Sequence, residues 1–180
     1  MNDRQRKIIE AAIPLILREG VGVSTAAIAK AADVSNGTLF NAFATKQNLI
    51  DSIYLAAKTG MLDALSQSGD APFDRATMYR NWGDYLEWAR RNPHHRQIMH
   101  LLPEAGLVSP AMRAKVDALS ERHRLWLTDA LARGVIRGPN VDYIARLVFF
   151  HLDLVIDMAL DGKDEALAFD MLCHSIGLSK

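Results

Sequence analysis

The chain holds a single cysteine, Cys173, which excludes an intrachain disulfide and any zinc site built on cysteine pairs. It lacks an uncharged apolar run near the roughly 18 residues needed to cross a bilayer. No basic, then apolar, then small-residue leader opens it. The expected location is therefore cytoplasmic, with no membrane attachment. Charge of one sign is missing too: 21 basic residues face 21 acidic ones, so any affinity for nucleic acid must come from local placement. There is no phosphate loop, nucleophile elbow or glycine-rich dinucleotide fingerprint. The histidines at 94, 95 and 100 make a poor metal site, because the His94-His95 doublet diverges by about 100° on a helix and no acidic partner stands at the spacing that builds a site on one face. We expect no cofactor and no enzymatic activity. Alternating β-branched stretches bounded by turns are absent as well, and the chain reads as all-α.

What the sequence does contain is concentrated between Ser24 and Lys46. Ser24 or Thr25 stands where an N-cap hydroxyl would open a short helix, with Ile28, Ala31 and Ala32 as its apolar face. Asp33 then breaks the pattern at a corner that needs a residue tolerant of the left-handed region, and Val34 is the expected plug beneath it. Ser35 opens a second short helix, in which Leu39 and Phe43 point inward while Asn36, Thr38 and Asn41 are left outward. Two short helices joined by a tight turn are a shape that reads DNA. Residues 1–50 hold six basic side chains against four acidic ones, and Arg4, Arg6 and Lys7 cluster where the first helix begins.

From Ile28 to Leu49 the chain resembles the TetR family of bacterial transcriptional regulators, whose fingerprint reads approximately Ile-Ala-x-x-Ala-Gly-Val-Ser-x-Gly-Thr-Leu-Tyr-x-His-Phe-x-x-Lys-x-x-Leu. Asp33 stands for the usual Gly, Phe40 for Tyr and Ala42 for His, and the last two family positions commonly hold DNA phosphates. The resemblance implies an N-terminal helix-turn-helix domain over 1–46 and a helical ligand-binding and dimerisation domain over 47–180, about nine helices in all. It also implies that Asn36, Thr38 and Asn41 read bases, and that Thr25, Lys46 and helix-start amides hold phosphates. Arg4, Ser24, Ser35, Gly37 and Phe40 complete the expected DNA-contacting set. Ala26 stands where some relatives place a base-reading Arg, so direct readout is expected to be thin and DNA shape to carry a larger share.

The rest of the chain reads as helix after helix. The first spans about Asp3 to Glu19, with a kink expected at Pro14, where one ladder bond is lost. A helix from Lys46 to about Leu65 follows Thr45, with Leu49, Ile50, Ile53, Ala57 and Leu62 inward, and a loop-rich stretch at 66–72 closes it. Further helices are expected from Asp74 to Arg91, from His94 to Leu102 before Pro103, and from Pro110 to Arg133 after a Ser109 cap. Residues 141–161 carry two adjacent apolar stripes, Ile144/Val148/His151/Val155/Met158 and Ala145/Phe149/Leu152/Ile156/Ala159. A helix apolar over most of its circumference must be buried on two sides, and a second protomer can supply one of them. The expected homodimer interface is Ala145, Phe149, Leu152 and Ile156 with Phe169, Leu172 and Ile176 of the last helix, which begins near Glu165.

By the same resemblance, the C-terminal helices enclose a pocket for a small, largely apolar effector, whose binding shifts the helix after Thr45 and so the separation of the two recognition helices. The expected wall is Trp82, Tyr85, Leu86, Met99, Leu119, His123, Trp126 and Val148, with His123 and His151 as polar handles. The function read from the sequence is a ligand-responsive regulator, most commonly a repressor in this family, that binds a pseudo-palindromic double-stranded operator as a homodimer. Two rivals stand beside it. One is a helical enzyme or metal-binding protein that uses the C-terminal pocket; the other is a DNA-binding dimer without an effector.

Overall fold

The computed structural model describes residues 1–65 and 71–178, and among these it contains nine α-helices and no strand. They are α1 (Asp3–Glu19), α2 (Thr25–Ala31), α3 (Asn36–Ala42), α4 (Lys46–Ala64), α5 (Arg75–Arg91), α6 (Pro93–Glu104), α7 (Pro110–Ala132), α8 (Val141–Asp157) and α9 (Gly162–Ser175). Residues 66–70 of the expected loop lie outside the described residues. The chain divides into two compact units, 1–60 with 92–116 and 61–91 with 117–180. That division falls within α4 and α7 and differs from one at 46/47, because α6 packs on α1 and joins the first unit.

In the first unit, α1 buries Ile8, Ile9, Ala12, Ile13, Leu15 and Ile16 and packs on α2, α3 and α6. Its start is closed by a capping box: Asn2 Oδ1 accepts the Gln5 N–H at 2.8 Å, and Gln5 Oε1 accepts the Asn2 N–H at 3.1 Å. Pro14 does not end the helix, which runs unbroken to Glu19; its buried face on both sides of the proline offsets the lost bond. Thr45 Oγ1 accepts the Asn48 N–H at 3.0 Å where α4 begins. Leu49, Ile50, Ile53 and Ala57 are buried as expected, but Met61 takes the core position expected for Leu62, which is half-buried. The expected stop before Pro103 is also wrong. Pro103 sits in the last turn of α6, where buried Ile98, Met99 and Leu102 hold the helix against the loss of one ladder bond.

In the second unit α5, α8 and α9 pack on one another around Trp82, Tyr85, Leu86, Val155, Phe169 and Leu172. Asp74 Oδ1 caps α5 by accepting the Thr77 N–H at 2.7 Å, and that bond is the main reason its carboxyl lies below the usual value. Arg90 donates to the Leu160 carbonyl at 2.9 Å and pairs with Glu165 at 2.6 Å, while Arg75 pairs with Asp170 and lies over the Phe169 ring. The Tyr85 hydroxyl donates to Asp153 at 3.2 Å. Cys173 is buried, and burial pushes its thiol up.

Candidate nucleic-acid interface

The two short helices are closed by the side chains their sequence supplies. Ser24 Oγ accepts the Ala27 N–H at 3.1 Å and Ser35 Oγ accepts the Thr38 N–H at 3.0 Å, so each opening serine satisfies an orphan donor. Between the helices Asp33 adopts φ 52°, the left-handed turn expected of it. The next N–H, of Val34, returns to the Ala29 carbonyl at 3.0 Å. Val34 is half-buried rather than a full plug. The inward face of α2 is Ile28, Ala29 and Ala32; Ala31, expected inside, is exposed. In α3, Leu39 and the following Phe43 are buried, which fixes the rotation of the helix and leaves Asn36, Gly37, Phe40 and Asn41 together on its exposed side.

The expected DNA-contacting residues therefore fall into two sets. Arg4, Asn36, Gly37, Phe40 and Asn41 are exposed, and the structure brings the last four onto one face. Ser24 and Ser35 are occupied as caps. Thr38 is half-buried, with its hydroxyl 2.8 Å from Ser35 Oγ, so it braces the helix start more than it points outward. Thr25 is half-buried. Lys46, expected on a phosphate, is half-buried and donates from Nζ to the Val21 carbonyl at 2.9 Å, which ties α4 to the loop before α2.

Several positioning residues escaped the sequence reading. Gln5 Nε2 donates to the Ala42 carbonyl at 3.2 Å, so the side chain that caps α1 also holds the last turn of α3. Lys7 Nζ lies 3.7 Å from Asp33, at the other end of α3. Asp51, a buried carboxylate, accepts the Ser109 N–H at 3.0 Å and a Gln47 amide hydrogen at 3.0 Å, and Gln47 also donates to the Leu107 carbonyl at 2.8 Å. The Asn2-x-x-Gln5 spacing is a capping-box signal that could have been read; the contacts to Ala42 and Ser109 are tertiary and have no local signature. His95, rejected as part of a metal site, is half-buried with Nε2 3.2 Å from Glu10 on α1.

The expected effector wall is less coherent. Met99 belongs to the first unit and the other residues to the second. Trp82, Tyr85 and Leu86 are deeply buried, Val148, His151, His123 and Trp126 are half-buried, and Leu119 is exposed. Trp126 Nε1 donates to the Ala71 carbonyl at 2.9 Å, and of the two expected handles His151 has a local partner, its Nδ1 lying 3.0 Å from the Leu147 carbonyl. Trp82 Nε1 and the two ring nitrogens of His123 are buried without a well-formed hydrogen bond. Burial pushes the His123 imidazole below its usual value, with the Leu65 backbone pulling the other way. A cleft of about 280 Å³ opens elsewhere in this unit, lined by Arg90, Val155, Ile156, Ala159, Leu160 and Asp161; none of these was on the expected wall. No cluster of three metal-ligating side chains occurs among the described residues, and no described helix is long and apolar enough to cross a membrane.

The expected dimer residues differ among themselves in burial. Leu152, Phe169, Leu172 and Ile176 are buried within the protomer, and Ala145, Phe149 and Ile156 are half-buried, Phe149 edge-on to Tyr85 at 5.8 Å. The exposed large apolar side chains of α8 and its C-cap are Tyr143, Phe150, Leu154 and Met158, and those of α9 are Leu167 and Met171. With so much of α8 apolar, the period could not say which stripe faces α5.

The family model for bacterial regulatory proteins of the tetR family matches residues 8–53. The fold is shared over nearly the whole chain. A TetR family transcription regulator from Marinobacter aquaeolei VT8 superimposes with a TM-score of 0.83 at 18% identity, covering 96% of this chain and 95% of that one. AibR, solved in complex with isovaleryl coenzyme A and operator DNA, gives a TM-score of 0.73 at 21% identity over 96% and 97%. The multidrug binding protein EbrR, complexed with imidazole, gives 0.68 at 21% over 100% and 98%. The matched segment covers α2, α3 and the capped turn between them, so residues 8–53 resemble the helix-turn-helix of bacterial regulatory proteins of the tetR family, and the remaining helices share the fold of the solved structures.

Proposed function

We propose that this regulator is a cytoplasmic, ligand-responsive repressor that binds a pseudo-palindromic operator as a homodimer. The observation that carries the reading is the exposed face of α3, where Asn36, Gly37, Phe40 and Asn41 stand together over a helix locked by buried Leu39 and Phe43. Asparagine offers the paired donor and acceptor that suits adenine in the major groove. Arg4, Arg6, Lys7 and Lys30 are exposed in the same unit and supply positive charge for phosphates. DNA reading belongs to the segment 1–46 and effector binding and dimerisation to 47–180.

Dimerisation is assigned to the exposed stripe of α8 and α9 in place of the residues buried behind it. Six large apolar side chains left in solvent on two adjacent helices are an unusual exposure for a monomer, and a two-fold axis through that face would present two recognition helices to successive major grooves about 34 Å or a multiple apart. The effector reading is supported by the deeply buried Trp82, whose indole nitrogen lacks a well-formed hydrogen bond, and by the ligands named for AibR and EbrR. An effector lowers DNA affinity only if it binds the released state more tightly than the operator-bound one.

Selection of bound duplexes from a random pool tests the reading. A palindromic product is expected; recovery of no preferred sequence, or of a single unpaired half-site, would overturn it.

A further inference from the structure

One side chain on the DNA-facing surface has no reason to be there on the protein's own account. Of the large apolar residues at 39, 40 and 43, Leu39 and Phe43 are 0% and 4% exposed, whereas Phe40 is 43% exposed. At 3.6 residues per turn, Asn36, Phe40, Gly37 and Asn41 fall in that order across an arc of about 140°, so the ring lies between the two asparagines. Beside it, Gly37 is not required by the fold. Its φ is not in the left-handed region, and a Cβ there would meet only Ser35 Oγ, at an ordinary 3.8 Å. Glycine in a helix costs up to about 1 kcal/mol relative to alanine, and here nothing within the protein compensates for it.

An exposed ring with no hydrogen-bonding group, next to a missing side chain, is complementary to an apolar projection from the partner. In the major groove the base edges present one projecting apolar group, the 5-methyl of thymine; the other apolar positions there are flush C–H edges such as cytosine C5–H, and the rest are hydrogen-bond donors or acceptors. Resting on the operator reading above, we propose that Phe40 is a specificity-determining residue whose ring packs against a thymine methyl in each half-site, with Gly37 leaving the gap through which the base edge approaches.

The test uses the duplex recovered from the random pool, with each thymine replaced in turn by deoxyuridine, which removes the methyl and leaves the base pair intact. At one thymine per half-site the replacement should weaken binding by the wild-type protein roughly fourfold, the scale of one buried methyl group. Replacement in both half-sites should cost roughly fifteenfold. Phe40→Ala should bind more weakly and be indifferent to the same replacement. Gly37→Ala should melt at the same temperature or slightly higher and yet lose affinity. Indifference of the wild-type protein to every replacement would overturn the proposal while leaving operator binding intact, and so would an equal loss in Phe40→Ala, which would assign the methyl to another residue. Failure to recover any duplex would overturn the operator reading and this inference with it.

Discussion

Helices α3 and α8 both leave apolar side chains in solvent, and they do so in opposite settings. On α3 the exposed ring of Phe40 stands alone among Asn36, Gly37 and Asn41, on a helix of seven residues whose start is closed by Ser35. On α8, Tyr143, Phe150 and Leu154 are exposed along a seventeen-residue helix with Met158 at its C-cap, and the adjacent α9 exposes Leu167 and Met171. A polar face with a single aromatic suits a partner whose edges are mostly donors and acceptors. A face with several exposed apolar side chains suits a partner that is itself apolar, such as a second copy of the same surface.

The strongest way to break that contrast is to place charge in the apolar run. Phe150→Glu with Leu154→Glu should convert the dimer to a monomer with little change in helix content, as read by sedimentation and circular dichroism, and should lower operator affinity by more than 100-fold because one recognition helix loses its tethered partner. A variant that stays dimeric would place the interface elsewhere. The buried stripe should behave differently: Leu172→Ala should cost about 2–5 kcal/mol of unfolding free energy through the cavity it leaves.

Within the first unit the same separation can be sharpened residue by residue. Leu39→Ala should lose about 2–5 kcal/mol of stability, and DNA binding only as a consequence. Asn36→Ala and Asn41→Ala should leave the melting temperature in place and each weaken operator binding by about 1–3 kcal/mol at the base they read. If both asparagines could be removed with affinity and preference intact in a footprinting assay, the face would not be the reader. Asp51→Ala lies between these extremes. It strips the Ser109 N–H of its buried acceptor and frees the Gln47 amide, at an expected cost of about 1–3 kcal/mol in a denaturant titration.

The two helices also differ in how far their sequences could be read. Both short helices of the DNA-reading corner were legible because each signal is local: Ser24 and Ser35 are caps within three residues of their targets, and Asp33 meets a turn that few residue types enter. The rotation of α3 followed from Leu39 and Phe43. On α2 the face slipped by one small residue, Ala29 for Ala31, because alanine marks burial only weakly. On α8 the apolar set spans most of the circumference, so the pattern showed that two sides are apolar without showing which meets α5. The expected interface includes Leu152, which is buried within the protomer. The wall around Trp82 depended on which helices converge, which periodicity does not encode. Gln5 on Ala42 and Asp51 on Ser109 join positions 37 and 58 residues apart and carry no local trace.

The smallest expected effect concerns the interior behind the apolar run. His123 sits in the second unit with its imidazole held below the ordinary 6.5, first by burial and secondarily by nearby Arg122, against an opposing pull from the Leu65 backbone. A histidine whose folded value is lowered binds fewer protons in the native state than in the unfolded chain at pH values from about 6.5 down to that lowered value. Its contribution to stability is therefore fully present above about pH 7 and is lost progressively as the pH falls through that window. In His123→Leu the melting temperature should decline less between pH 7.5 and 5.5 than in the wild-type protein, and since the other five histidines are common to both, the difference isolates this site. Equal slopes would mean that the ring is hydrated in solution, which removes it from the apolar interior that the effector reading requires.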